Sequence, residues 1–154
     1  MEIFMEERRV RPKKFFYRST LQWQNERKAI LSSAGKPSLE VTPPPEFKGP
    51  DGFWTPEDLL VAAANSCFLM TFLAYAERDQ IALAGYEGEA EGVLELVDRK
   101  MIVTQIKLIV RISLKSSSDI PRAEAVLKSS KENCIISNSV KSSIDVESQI
   151  TVAH

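Results

Sequence analysis

At 154 residues, with 44% hydrophobic and 27% charged positions, the chain has room for one globular domain with its own core, and is neither disordered nor fibrous in composition. A formal net charge of −1 gives no global field for nucleic acid or anionic lipid. One histidine, two cysteines and six scattered glycines exclude a histidine-based triad, a four-ligand zinc site and a glycine-rich phosphate loop, so neither a metal nor a cofactor is expected.

Residues 1–13 read as a flexible charged arm. Arg8, Arg9, Arg11 and Lys13, followed by Lys14, form a basic cluster tempered by Glu2, Glu6 and Glu7. The arm lacks the apolar stretch of a secretory signal, so a cytoplasmic setting is expected, in which thiols stay reduced. Residues 14–154 then form a single α+β domain. Phe15, Tyr17, Leu21 and Trp23 make a strand of residues 14–23, and short strands are predicted at 28–33 and 38–42. Pro43, Pro44 and Pro45 open a loop that runs to Gly52.

Thr55-Pro56-Glu57-Asp58 starts a helix: Thr55 caps, Pro56 fits the first position, and the two acids complement the positive helix end. The helix should reach residues 78–80. Its stretch 59–76 carries no charge and is at the lower limit of a membrane span. Asn65, Ser66, Cys67 and Thr71 near its middle favour a helix buried in a domain or a subunit interface, with no membrane. Residues 86–97 and 101–115 form an antiparallel hairpin turning at 98–100. In its second strand Ile102, Ile106, Leu108, Val110, Ile112 and Leu114 share one face, interrupted by Thr104. A helix over 120–133, a turn or helical scrap over 137–142 and a closing strand over 143–152 follow. The order β-β-β-α-β-β-α-β places helices on antiparallel sheet around a long buried central helix.

The residues by themselves leave Cys67 and Cys134 open: small buried hydrophobes or redox groups. Their surroundings are more specific. Thr55-Pro56-Glu57-Asp58-Leu59-Leu60, then Ala62-Ala63-Ala64-Asn65-Ser66-Cys67-Phe68, resembles the signature of the family of osmotically induced protein C and organic hydroperoxide resistance protein. That family places its reactive cysteine ten residues after a helix-start glutamate, as Cys67 stands to Glu57. Cys134-Ile135-Ile136-Ser137-Asn138 resembles its second signature, and the resemblance extends over about residues 15–150.

The resemblance implies a thiol peroxidase, with an intertwined homodimer as its fold. Cys67 would attack the O–O bond of an organic hydroperoxide and become a sulfenic acid, which Cys134 would resolve as a disulfide. A small dithiol, such as a lipoyl group, would be the reductant. The family also brings an arginine to its cysteine, held by the glutamate matching Glu57. Arg27 is the choice for that arginine and Arg18 the alternative, because Asn25-Glu26 replaces the family's usual Gly-Gly. Phe53, Trp54 and Phe68, with Phe47 and Met70, are candidates for an apolar substrate lining. Ten residues of helix separate Glu57 and Cys67 by about 15 Å, more than one guanidinium spans, so the site is expected to be shared between two subunits. Two rival readings stand beside this one: a non-catalytic binding protein of the same fold, and an unrelated α+β protein that works through its basic arm.

Overall fold

The computed structural model describes residues 13–154, so the charged arm lies outside the described residues apart from Lys13. The elements in chain order are β1 (Thr20–Asn25), β2 (Lys28–Ser32), β3 (Leu39–Val41), α1 (Pro56–Arg78), β4 (Leu83–Val97), β5 (Lys100–Leu114), α2 (Ile120–Asn133) and β6 (Ser143–Val152). This is the α+β order expected. The first strand departs from expectation: it begins at Thr20 rather than Lys14, because β1 has only the five-residue β2 to pair with.

Two sheets result, β1-β2-β3 and β4-β5-β6. The first is antiparallel throughout. In the second, β4 and β5 pair antiparallel while β6 runs parallel to β5, a pairing that the expectation of purely antiparallel sheet did not contain. The physical cause is α2. A parallel neighbour needs a crossover, and α2 supplies it between β5 and β6.

Central β5 carries the core. Ile106, Leu108, Val110, Ile112 and Leu114 are all buried against the helices. The shared face does not extend to Ile102 as expected. Gln105 pairs with Val93 and Val103 with Leu94, leaving Thr104 as an extra residue that reverses the alternation. Val103 therefore packs against the core in place of Ile102.

Thr55 and Asp58 close a reciprocal capping box at the start of α1, with Pro56 in its first turn. One stripe of the helix (Ala64, Phe68, Phe72 and Ala76, spaced by four) is buried on the second sheet and α2. Glycines in β4 permit this close approach. A Cβ on Gly92 would stand 2.6 Å from Val61 Cγ2, and one on Gly88 2.7 Å from Asn65 Oδ1. Asn65 Nδ2 donates to Gly88 O at 3.1 Å, which fixes how α1 is rotated on the sheet.

The remainder of α1 is not covered. The helix is long and apolar enough to cross a membrane, yet only 22% of its most apolar window is buried in the single chain, with Met70 and Leu73 exposed. The expected long buried helix is thus buried on one side within this chain. Leu96, Val97 and Met101 at the hairpin end and Leu21 and Trp23 on β1 are exposed as well.

Candidate redox site

Cys67 sits in the fourth turn of α1, one position before Phe68 on the buried stripe, and is half-buried. Cys134 is fully buried at the C-terminal cap of α2, its N–H donating to Ser130 O at 3.0 Å. The chain then turns tightly, with Asn138 N–H donating to Cys134 O at 3.0 Å. The turn brings Ile135, Ile136 and the Cys134 thiol near enough to Cys67 to act on its thiol, and both cysteines are reduced. The structure thereby joins residues that lie 67 positions apart in sequence.

Burial acts to raise the pKa of Cys67. Against it act the Ile136 N–H, the Cys134 thiol, the Thr71 hydroxyl and the Ile135 N–H, and the balance lies below the ordinary thiol value. Neutral groups of the same chain thus favour the charged form of Cys67, beside the arginine that the resemblance implied. Backbone N–H groups leave no mark in a sequence. Thr71 did leave one, since it stands one helical turn after Cys67, where its hydroxyl donates to Cys67 O at 2.9 Å.

Glu57 lies in the first turn of α1, with Oε2 buried and without a hydrogen-bond partner among the described residues. It lines a cavity of about 620 Å³ together with Phe47, Phe53, Leu94 and Met101. Arg27 stands at the turn between β1 and β2, where its guanidinium donates to Phe47 O at 2.8 Å. It is thus beside the wall of the Glu57 cavity, although no ion pair joins Arg27 and Glu57 among the described residues. Arg18 lies over the Phe16 ring at 5.9 Å.

The aromatic candidates separate. Phe53 is half-buried in the Glu57 cavity, with the Lys28 ammonium 5.3 Å from its ring centre. Trp54 is 47% exposed and lines a neighbouring cavity that also contains Glu57. Phe68 needs correction as a substrate-lining residue. It is 1% exposed, because its place on the stripe with Ala64 and Phe72 commits it to the core. Among the described residues no cluster of His, Cys, Asp and Glu could hold a metal ion.

Residues 49–149 match the family model described as OsmC-like protein, a span that contains Glu57, Cys67 and Cys134 but not Arg27. The Bacillus subtilis protein YmaD is 25% identical over 124 residues, covering 77% of this chain and 81% of YmaD. Among solved structures, an OsmC-like protein of Vibrio cholerae superposes with a TM-score of 0.81 at 21% identity, covering 88% of this chain and 100% of that one. An organic hydroperoxide resistance protein OsmC of Legionella pneumophila superposes with a TM-score of 0.66 at 22% identity, covering 90% and 100%.

Proposed function

From the premise that this chain belongs to the OsmC-like family, we propose that it is a thiol peroxidase that reduces organic hydroperoxides to alcohols in a reducing, cytoplasmic setting. The observation that carries the reading is a half-exposed free Cys67, its pKa lowered, packed against the core cluster that contains the buried Cys134. Cys67 thiolate attacks the distal peroxide oxygen, the O–O bond breaks, and the alkoxide leaves as alcohol after taking a proton. Cys134 then attacks the sulfenic sulfur, releasing water and forming the disulfide, which a small dithiol reduces. The names of the Legionella protein and of OhrB from Bacillus subtilis, an organic hydroperoxide resistance protein, agree with this substrate class.

The working unit is a homodimer with shared sites. The uncovered side of α1 and the exposed apolar hairpin end support it, since apolar surface of this extent calls for a partner. An isolated buried carboxylate oxygen on Glu57 supports an arginine arriving there, and Arg27 is the candidate. A second α1 crossing antiparallel brings this pair beside the other subunit's Cys67, with Phe53 and Trp54 at the mouth.

Replacing each cysteine tests the chemistry. Cys67→Ser abolishes hydroperoxide consumption. Cys134→Ser permits one turnover and leaves a sulfenic acid at Cys67 that a dimedone-type reagent traps. Variants that both turn over like the parent rule out the thiol mechanism and favour a non-catalytic binding protein.

A further inference from the structure

The turn from β1 into β2 and the proline-bounded loop of residues 43–52 enclose between them a pocket of about 270 Å³. Arg27, Lys28 and Lys48 line it, with Glu26 as its one acid among the described residues. Phe53 and Pro50 form a wall that it shares with the Glu57 cavity of about 620 Å³. The two spaces differ in charge. Besides Glu57, the larger one is lined by the carboxylates of Glu46, Asp51 and Asp58, and by no cation among the described residues. Its apolar surface comes from Phe47, Phe53, Leu94 and Met101.

The smaller pocket is held in shape from both sides. Trp23 Nε1 donates to Glu26 O at 3.0 Å, and Arg27 donates one N–H to Phe47 O at 2.8 Å, which ties the turn to the loop. Within the loop Gly49 N–H donates to Pro44 O at 3.1 Å, and a Cβ on Gly49 would stand 1.7 Å from Pro43 O. Lys48, beside this close approach, has the left-handed φ of 66°, which a lysine rarely adopts. Its ammonium has no ion-pair partner among the described residues, whereas Lys28 reaches Glu40 at 3.4 Å. Glu40 offsets Lys28 and Glu26 offsets one of the other two cations. About one positive charge is left over, which suits a monoanion.

We infer that this pocket is a subsite for the carboxylate of a ligand whose apolar body lies in the Glu57 cavity, with Lys48 as the residue that selects for the charge. Acids repel the anion from the larger space and cations draw it into the smaller, so both effects orient the ligand the same way. The subsite concerns what the chain binds and goes beyond the peroxidase reading. Under that reading the ligand is a hydroperoxide whose carboxylate is held away from its O–O bond.

The test measures binding of phenylbutyrate and phenylbutanol, which share one apolar body, by calorimetry at low ionic strength, so it does not depend on peroxide chemistry. The parent should bind the carboxylate about three- to tenfold more tightly than the alcohol. Lys48→Gln should lose most of that preference and Lys48→Arg should keep it, which separates charge from a change in the loop. Equal affinities in the parent, binding of neither ligand, or a preference that survives in Lys48→Gln would overturn the inference. So would a Lys48→Arg variant that behaves like Lys48→Gln. A parent that binds the carboxylate selectively but ignores organic hydroperoxides removes the peroxidase reading and leaves the subsite standing.

Discussion

Mixing Cys67→Ser subunits with Glu57→Ala subunits separates a shared site from one confined to a single chain. In the shared arrangement each site takes Cys67 from one subunit and Glu57 from the other. A mixed dimer then has one site that lacks both groups and one that lacks neither. Random exchange of equal amounts makes about half of all dimers mixed, and each has one of two sites intact, so activity per subunit should return to about a quarter of the parent's. In the confined arrangement every chain lacks one group wherever it goes, and mixing restores nothing beyond the residual activity of Glu57→Ala. The helix geometry favours the first outcome, because ten residues of α1 put Glu57 and Cys67 about 15 Å apart. Peroxide consumption is read before and after exchange, with exchange itself shown by differently labelled subunits. Circular dichroism checks that Glu57→Ala, which removes an acid from the first turn of α1, still folds. No recovery after demonstrated exchange, or a fully active monomer, refutes the shared site.

The pH dependence of Cys67 alkylation should have its midpoint below that of an ordinary thiol, with reactivity lost as pH falls through that midpoint and the thiolate takes up a proton. In Cys134→Ala one of the donors that lower it is gone, so the midpoint should move up; an unchanged or lower midpoint contradicts the thiol contact. Phe53 and Trp54 beside Glu57 offer an apolar mouth, so bulky organic hydroperoxides should show a higher kcat/KM than hydrogen peroxide, and an equal or reversed preference removes that pocket.

Local chemistry made much of this protein legible. The capping signal at Thr55-Pro56-Glu57-Asp58 places the start of α1 correctly, and the alternation from Ile106 to Leu114 gives the core face of β5. Pairing direction was not legible. The alternation in β6 is the same whether it runs parallel or antiparallel to β5, and only the crossover through α2 decides between them. Thr104 interrupts the expected pattern visibly, but a polar residue in a strand does not announce that one residue is extra. At the candidate site, Cys67, Cys134 and Glu57 are singled out by their neighbours in sequence. Phe68 was misjudged because flanking a reactive cysteine says nothing about which helix face a ring occupies. Ile135 and Ile136 act on Cys67 through their backbone, which no motif marks.

The close approach of α1 to β4 gives Gly88 and Gly92 a part in the chemistry that neither could take up directly. A methyl group at Gly88 would overlap the Asn65 carboxamide, and one at Gly92 would overlap Val61. Relief requires the helix to lift or roll, and Cys67 lies two residues beyond Asn65 on that rigid rod. The turn carrying Cys134 follows α2, a separate element. The spacing of the two cysteines is therefore calibrated by atoms the chain omits. An alanine in a strand remote from any reacting group would act as a spacer, uncoupling the cysteines while leaving both in place.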